Sequence, residues 1–523
     1  MQSTLSFSRI RSLGVIAAAA AMLALFAIGA PGASADIGNP QLSGGSYNTC
    51  AIYPSKRIYC WGSNGSQQLG LGGGNKVSYG TRPYPVKGVK AQPVGVSAAS
   101  SSACAVLVTG GIGCWGKNTS GALGGVNSGG YARSFQSSAS LLSPWVTPSN
   151  ESTGTQHLCF RDNNATVKCQ GVNSLGQLGN GTNTNSNTAV QVAVITGASE
   201  ATSATQVVSG SNHSCALLQN KNVKCWGVNN YRQLGSPALT VPSSSTPVDV
   251  PSLANDITEL ASMADHTCAE HADDTISCWG ANPYGQLGDG TVAPYKGPVT
   301  VSGISNARQV STGISHTCAL VAGGAVKCWG SNEFGQLGNG TTTTSSKPVS
   351  VIGLSRPATE ITTGGYHSCA RLDTGSIYCW GRGSKGQLGD GSTSSSSTPK
   401  RVTDFGGIHF ASVALVHGGA SDGGAAGSEF RGTVVAIPPR AGKLSQQCRT
   451  NAHLTVTIVQ DGVTTTKKLR KRFGRSGQTK CSARFSVPQI TKSNSAATVT
   501  LKGSYIGNSG MPGASYTQAY SLP

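Results

Sequence analysis

Residues 318–340, CALVAGGAVKCWGSNEFGQLGNG, contain the unit from which most of this 523-residue chain is built. Six further segments repeat its internal spacing, with two cysteines ten residues apart in each copy, and successive copies begin 50–56 residues apart. The pairs are Cys50 and Cys60, Cys104 and Cys114, Cys159 and Cys169, Cys215 and Cys225, Cys268 and Cys278, Cys318 and Cys328, and Cys369 and Cys379. A period of about 50 residues with short apolar segments and Gly-rich turns is typical of a propeller or a solenoid.

The cysteine pair predicts a β-hairpin whose two strands are cross-linked. In the sixth copy a turn at Gly323 and Gly324 sets Cys318 opposite Cys328. Opposed residues on antiparallel strands have Cα atoms about 4.5–5.5 Å apart, within the roughly 4.4–6.8 Å that a disulfide spans. Structural zinc is the competing interpretation, but zinc knuckles place their cysteines about two to four residues apart. We therefore predict seven disulfides and no metal.

A Trp-Gly pair follows the second cysteine in six copies, and Gln170 replaces the tryptophan in the third. The tryptophans are Trp61, Trp115, Trp226, Trp279, Trp329 and Trp380. Because side chains alternate along a strand, Cys328 and Trp329 face opposite sides of their sheet, so both sides are apolar. This favours packing between neighbouring sheets over a ring of aromatic ligand platforms.

The run H-T-C-A-L…V-K-C-W-G-x-N-x-x-G-Q-L-G-x-G resembles the repeat of the regulator of chromosome condensation family, whose members are seven-bladed β-propellers. The resemblance covers about residues 40–403, and copies five to seven fit best. Copy two departs with G-A-L-G at residues 121–124, and Gln67 and Arg232 replace the first turn glycine in copies one and four. The resemblance implies an all-β chain with one seven-bladed propeller over residues 36–404.

Residues 1–35 are typical of a secretory signal peptide. Arg9 and Arg11 precede an apolar run over residues 14–30, and a small-residue triplet ending at Ala35 predicts cleavage there. A retained signal anchor is the alternative, which the alanine-rich run and the cleavage pattern after it disfavour. No other stretch is long and apolar enough to span a bilayer. The sixteen cysteines divide into seven hairpin pairs plus Cys448 and Cys481, as expected in an oxidising compartment. Both features predict a secreted or cell-surface protein.

We expect the ring to close through the end of the repeat region. The first copy lacks the Pro-Val-x-Val segment that precedes later copies, whereas a similar segment follows the last copy at residues 399–402. We infer that this late strand completes the first blade and removes the free edges of an open array.

Polar connections follow each G-Q-L-G turn and should all emerge on one side of a ring. The longest, about residues 125–154, contains Tyr131, Arg133, Phe135 and Trp145. Loops of variable length on a rigid frame are the usual place for a binding surface, and plain solvated linkers are the alternative.

Beyond residue 405 the period stops. We interpret residues 405–429 as a linker and residues 430–523 as a small β-sandwich of bacterial immunoglobulin-like type, with Cys448 bonded to Cys481. From residue 405 onward the chain has 14 Lys and Arg against 3 acidic residues, so this part carries +11 of the total charge of +19.

The positive charge of this C-terminal domain is concentrated in one run. Its members are Lys467, Lys468, Arg470, Lys471, Arg472 and Arg475. They predict contact with an anionic partner at the cell surface, such as an envelope polymer or acidic phospholipid. A solvated strand with basic gatekeeper residues is the alternative. No nucleic-acid partner is expected, because export separates the protein from nucleic acid.

Histidine recurs two residues before the first cysteine in five copies, whereas copies one and two have Asn48 and Ser102. The histidines are His157, His213, His266, His316 and His367. Imidazoles one blade apart cannot all reach one cation at about 2.0 Å, so hydrogen bonding within each blade is favoured over a metal site. The chain has no G-x-S-x-G, H-E-x-x-H, P-loop or dinucleotide motif. We predict no catalytic residue, cofactor or metal.

These patterns favour a secreted or surface-attached propeller that engages a protein partner through its loop face without catalysis. The family resemblance allows an inhibitor or receptor role, since secreted bacterial relatives include a propeller that inhibits β-lactamases. A module for envelope carbohydrate or polyanions is the second hypothesis. A guanine-nucleotide exchange factor is implied by the founding member of the family, but the signal peptide and paired cysteines argue against it, and a fold alone carries no chemistry.

Overall fold

The computed structural model describes residues 41–403, except residues 54, 74–76, 110, 124–129, 143–144, 149–156, 163 and 236–241, together with backbone strands between residues 408 and 522. The predicted signal peptide, residues 1–35, lies outside the described residues. Within the described part, no helix has the length and apolar character that a membrane crossing requires.

The repeat region forms seven four-stranded antiparallel sheets, the blades, and in each blade the strands pair in chain order. The strands of blades 1 to 4 are β1 (Leu42–Gly44), β2 (Asn48–Ile52), β3 (Ile58–Ser63), β4 (Tyr79–Pro85); β5 (Pro93–Ala98), β6 (Ser102–Leu107), β7 (Gly111–Lys117), β8 (Tyr131–Leu142); β9 (Trp145–Pro148), β10 (His157–Arg161), β11 (Val167–Gly171), β12 (Ser186–Gln191); β13 (Ala204–Ser209), β14 (His213–Leu218), β15 (Val223–Val228) and β16 (Ser243–Asp249). Those of blades 5 to 7 are β17 (Ile257–Met263), β18 (His266–His271), β19 (Ile276–Ala281), β20 (Tyr295–Thr300); β21 (Ala307–Thr312), β22 (His316–Val321), β23 (Ala325–Gly330), β24 (Ser345–Ser350); β25 (Ala358–Thr363), β26 (His367–Leu372), β27 (Ile377–Gly381) and β28 (Ser396–Arg401). A single turn of 3-10 helix, Ala322–Gly324, forms the β22–β23 turn.

The cysteine hairpin forms the two middle strands of every blade. The register places the cysteines of each pair directly opposite, as for Cys318 and Cys328. All seven predicted disulfides are present, with Cα atoms 4.0–4.1 Å apart. Cross-linking a loop of this length stabilises the folded chain by up to about 3 kcal/mol on the chain-entropy model.

The glycine after each tryptophan is required by the backbone. A bulge shifts the β23–β24 register at Trp329, and Gly330 takes a φ of 99°. A Cβ on Gly330 would lie 2.5 Å from the carbonyl oxygen of Ser315 in the β21–β22 turn. Glycine is therefore the residue that fits both the positive φ and the close approach. At the G-Q-L-G turn, by contrast, Gln67 and Arg232 adopt φ values of 62° and 61°, so these replacements keep the turn.

The core lies between neighbouring blades. Between blades 6 and 7, for example, Leu320 and Val326 pack with Ile361, Leu372 and Trp380. All six repeat tryptophans are fully buried in such contacts, which confirms the prediction of packing between blades. Each blade contacts the next, and blade 7 contacts blade 1 through β1, β25 and β26, so the ring is closed.

The predicted mechanism of ring closure is wrong. Residues 399–401 belong to β28, which pairs with β27 in blade 7. Blade 1 has its own first and fourth strands, β1 and β4. The error arises because each Pro-Val segment is the fourth strand of the copy before it, and not the first strand of the copy after it. Deletion of residues 397–403 would therefore damage blade 7 directly.

The longest predicted loop is largely sheet. Tyr131, Arg133 and Phe135 lie in β8, and Trp145 begins β9. Phe135 is buried with its ring centroid 6.2 Å from that of Trp115. The alternation of small polar residues along β8 conceals the strand, because serine carries no strong signal for burial. The loop assignment for residues 125–154 is wrong over residues 131–142 and 145–148.

The C-terminal strands form two further four-stranded antiparallel sheets, with orders β29-β30-β34-β33 and β32-β31-β35-β36. The strands are β29 (Ile408–His417), β30 (Ser428–Ala436), β31 (Asn451–Gln460), β32 (Val463–Arg472), β33 (Gly474–Ser476), β34 (Lys480–Ile490), β35 (Ala497–Tyr505) and β36 (Ala514–Leu522). β29 lies inside residues 405–429, which the sequence assigned to a linker, so regular strands begin earlier than expected. The immunoglobulin-like type stays a prediction. Cys448 lies outside the described residues, and so does its predicted bond to Cys481.

Candidate binding face

One face of the ring carries two connections from every blade. Because each blade is a meander, the turn between its first and second strands lies on the same side as the turn between its third and fourth strands. In blade 6 these are residues 313–315 and 331–344. We call this side the turn face. The hairpin turns of the cysteine strands and the connections between blades lie on the opposite face.

Two buried side chains fix the shape of the long turn. In blade 6, Asn332 accepts a hydrogen bond from the backbone N–H of Leu337 at 2.9 Å, and Gln336 accepts one from the N–H of Phe334 at 2.9 Å. The equivalent asparagine bond is present in the long turns of blades 1 to 5. The equivalent glutamine bond is present in those of blades 1, 3, 4, 5 and 7. The residue two places before the glutamine is therefore presented from a fixed backbone.

The presented residues differ in character around the ring. Blades 3 to 6 carry Leu175, Tyr231, Tyr284 and Phe334, whereas blades 7, 1 and 2 carry polar residues at this place. Leu175, Tyr231 and Tyr284 are 37%, 46% and 48% exposed. We call these four residues the apolar arc. It lies on four consecutive blades of the turn face.

The turns are tied to the neighbouring blade by the tryptophans. The indole Nε1 of Trp329 donates to the carbonyl oxygen of Gln286 at 2.9 Å, and that of Trp380 donates to Gln336 at 2.9 Å. The same bond recurs at four other tryptophans. In blade 3 the replacement Gln170 donates its Nε2 to the carbonyl oxygen of Ala122 at 2.9 Å, so an amide performs the role of the indole.

The repeated histidines join blades to one another. His316 Nε2 lies 3.0 Å from Ser368 Oγ, and that hydroxyl donates to the carbonyl oxygen of Gln336 at 2.9 Å. Since the hydroxyl proton is used by Gln336, the imidazole donates from Nε2. Equivalent bonds link His157, His213, His266 and His367 to the next blade. Structural hydrogen bonding was predicted, but its placement within one blade is wrong, because the partner hydroxyl belongs to the next blade.

Burial keeps these histidines neutral. It lowers the pKa of all five to about 3, well below the usual value for imidazole. The described residues contain no group of three or more acidic, histidine or cysteine side chains that could hold a metal ion. On the turn face itself, burial raises the pKa of Asp265, which stands beside His266.

The predicted polyanion contacts lie on the C-terminal strands. Lys467, Lys468, Arg470, Lys471 and Arg472 belong to β32, and Arg475 belongs to β33. β32 is an edge strand of its sheet. Lys and Arg on an edge strand also protect it from pairing with other chains, so this position agrees with both interpretations, and the anionic partner stays a prediction.

The sequence predicts a binding surface in the loops, and the apolar arc was not predicted. Its signal is present in the repeat: the position between the asparagine and the G-Q-L-G turn changes from polar to apolar at copy three and back at copy seven. A position that varies inside a rigid motif is free to serve binding, because the turn itself is held by the asparagine and the glutamine.

Comparison with protein families matches residues 149–422 to the RCC1-like domain and residues 41–68 to the regulator of chromosome condensation (RCC1) repeat. Among curated proteins, human E3 ubiquitin-protein ligase HERC2 is 27% identical over 386 residues, which cover 72% of this chain and 7% of that protein. Ultraviolet-B receptor UVR8 of Arabidopsis thaliana is 27% identical over 214 residues, which cover 40% of this chain and 48% of the receptor. The chain thus spans less than half the length of these relatives.

Solved structures share the fold. Yeast RCC1 (Prp20), solved bound to Kap60, has a TM-score of 0.60 at 19% identity and covers 68% of this chain and 86% of its own. Human WBSCR16 has a TM-score of 0.58 at 22% identity and covers 67% of this chain and 94% of its own. A further yeast structure, Prp20p, is described with its binding to Gsp1p and histones.

Proposed function

The chain belongs to the RCC1-like domain family, and from that premise we propose that it is a non-catalytic propeller that binds a protein partner outside the cytoplasm through its turn face. The observation that carries this proposal is the apolar arc. Four consecutive blades present an apolar side chain from the same fixed backbone position. A contiguous exposed apolar patch marks an interaction site, and the proposal is that these four side chains together form one.

The rigidity of the face supports tight binding. Tyr231, Tyr284 and Phe334 have few rotatable bonds, and the backbone under them is held by buried glutamines. Such side chains lose little entropy on binding and are common anchors of protein interfaces. Related propellers also bind proteins, as the description of Prp20p with Gsp1p and histones states for that protein. The ligase activity named for HERC2 is not proposed for this chain, because the match covers 7% of that protein.

Export is the second part of the proposal. Seven buried disulfides are supporting evidence, since such bonds persist in oxidising compartments and are rare in the cytosol. We expect the protein recovered outside the cytoplasm to begin at Asp36, after cleavage of residues 1–35. N-terminal sequencing of the extracellular protein checks this, and a chain that stays in the cytoplasm with its cysteines reduced would contradict it.

The binding proposal is tested by capture with matched variants of the full chain. Tyr231→Ser with Tyr284→Ser removes the centre of the apolar arc. Val194→Ser with Ile352→Ser removes two side chains of similar exposure, 53% and 50%, from the opposite face. We expect one polypeptide, identified by mass spectrometry from culture supernatant or envelope extract, to be retained by the wild type and the control and lost with the tyrosine variant. Equal retention by both variants would overturn the proposal.

A further inference from the structure

Blade 7 departs from the repeat on the turn face, beside the end of the apolar arc. Six blades have an asparagine three residues after the tryptophan or its replacement, but blade 7 has Gly383. A Cβ on Gly383 would lie 1.9 Å from the carbonyl oxygen of Ser394, so the following loop occupies the space of the missing side chain. The preceding position holds Arg382. Five blades have an uncharged Ser, Ala or Val at this position, and blade 2 has Lys117.

Aromatic rings from three blades surround the Arg382 guanidinium. Its Cζ lies 4.7 Å from the ring centroid of Phe334, 5.4 Å from that of Tyr47 and 5.5 Å from that of Tyr366. The Phe334 and Tyr366 rings meet edge to face at 5.7 Å, and the Tyr47 and Tyr366 centroids are 5.8 Å apart. Phe334 is also the last member of the apolar arc. The cluster therefore joins blades 6, 7 and 1 to the proposed binding surface.

Arg382 forms no ion pair with an acid of the described chain. Its Nε donates to Ser384 Oγ at 3.1 Å, and none of the ion pairs among the described residues includes Arg382. Burial raises the pKa of Tyr366, and the nearby Glu333 carboxylate adds to this, but Glu333 forms no ion pair with Arg382. Exposed Lys385, which blade 7 presents in place of an apolar residue, adds a second positive charge nearby.

We propose that the Arg382 cluster, formed with Tyr47, Phe334 and Tyr366, recognises an Asp or Glu side chain of the protein partner, placed beside an apolar residue that packs on the arc. This inference rests on the proposed function. The aromatic rings hold the guanidinium in place and partly remove its water. A planar, fixed guanidinium binds a carboxylate through two parallel N–H···O bonds. Blade 7 supplies positive charge, and blades 3 to 6 supply apolar surface. Together they fit a partner in which an acidic residue lies next to an apolar residue in the sequence.

The test uses a library of random twelve-residue peptides displayed on phage through their C-termini, so that no peptide offers a free terminal carboxylate. The full chain is the target, and selected peptides are measured as soluble, C-terminally amidated molecules. We expect the selected sequences to share an Asp or Glu next to an aromatic or aliphatic residue. Arg382→Gln, and separately replacement of the peptide acid by its amide, should each weaken binding about tenfold to a hundredfold. The two changes together should cost little more than one of them.

Matched variants separate this proposal from the proposed function. Arg356→Gln removes an exposed arginine of the opposite face, which pairs with Asp373, and should leave peptide binding unchanged. Arg382→Lys keeps the charge without the planar group and should bind with intermediate affinity. Peptides that lose binding with Tyr231→Ser and Tyr284→Ser but show no acidic residue and ignore Arg382→Gln would overturn the Arg382 proposal alone. Failure to select any peptide whose binding depends on the turn face would overturn both.

Discussion

Two interfaces between neighbouring blades depart from the repeat in opposite directions. Between blades 7 and 1 the chain does not pass from one blade to the next, and the interface contains additional polar contacts. Between blades 2 and 3 the chain passes directly from β8 to β9, and the interface has lost repeat contacts. At these two interfaces, the additional contacts occur where the covalent connection is missing, and the lost contacts occur where the connection is short.

The closing interface keeps every contact of the repeat. Trp61 donates to Gln387, and His367 bonds to Thr49 Oγ1 at 2.7 Å. Glu360 Oε1 accepts the backbone N–H of Leu42 at 2.8 Å, a bond that glutamines form between blades 4 and 5 and between blades 6 and 7. In addition, Glu360 Oε1 accepts the backbone N–H of Gln41 at 2.7 Å. Arg371 pairs with Glu360 at 3.0 Å and donates to the carbonyl oxygens of Gln41 and Ile52 at 2.9 and 3.1 Å.

The blade 2–blade 3 interface has an amide in place of the indole and no histidine pair. Gln170 stands for the tryptophan, and Ala122 stands for the turn glutamine. Ser102 and Leu158 occupy the places of the histidine and its partner hydroxyl, and Leu158 and Phe160 fill the space with apolar contacts. Only residues 143–144 separate β8 from β9, so the two blades stay together at a low entropic cost.

The tryptophan gives the largest expected difference between the two interfaces. Trp61→Ala removes a fully buried indole and its hydrogen bond, and should lower the free energy of unfolding by about 3–5 kcal/mol. Gln170→Ala should cost about 1–3 kcal/mol, mainly through the unpaired carbonyl of Ala122. Urea denaturation of the full, disulfide-bonded chain measures both. Equal losses at the two sites would contradict the comparison.

The second prediction concerns the ion pair that is specific to the closing interface. Arg371→Leu leaves Glu360 partly buried without its partner and should lower the free energy of unfolding by about 2–4 kcal/mol. Glu360→Gln combined with Arg371→Leu recreates the opposed pair of Gln309 and Leu320 in blade 6. The double variant should lie within about 1 kcal/mol of the wild type in the same denaturation experiment. A double variant as unstable as the single one would show that closure needs the charges themselves.

The sequence predicted the repeat, the disulfides and the interblade tryptophans because each follows from a spacing that recurs seven times. It did not predict the ring closure, because assigning a Pro-Val segment to the blade before or after it requires knowledge of strand pairing. The Arg382 cluster was not predicted for a similar reason. Its neighbours Tyr47 and Phe334 belong to other blades, and only the closed propeller brings them together. Local patterns identify elements, whereas contacts between copies depend on the closed structure.

The third prediction concerns the pH dependence of the closing interface. Between pH 6.5 and about 3, the unfolded chain binds a proton on His367 that the folded chain does not bind, so the free energy of unfolding falls as pH falls through this window. Each such histidine contributes a slope of about 1.4 kcal/mol per pH unit. His367→Asn, which copies the residue of blade 1, should therefore reduce the acid sensitivity of the chain by this slope. The free energy of unfolding, measured from pH 7 to pH 4, tests this, and an unchanged slope would mean that His367 is already protonated in the folded state.

The smallest expected effect is an increase in the free energy of unfolding, from a change at the interface between blades 1 and 2. Asn48 and Ala103 replace the histidine and its partner hydroxyl there, and both polar atoms of the Asn48 side chain are buried without a hydrogen-bond partner among the described residues. Asn48→His with Ala103→Ser installs the pair found at five other interfaces and should raise the free energy of unfolding by about 1 kcal/mol. Asn48→His alone should give no gain, because the imidazole N–H would lack its acceptor. If the single variant is as stable as the double, the hydroxyl is not what makes the histidine favourable between blades, and packing alone explains the repeat.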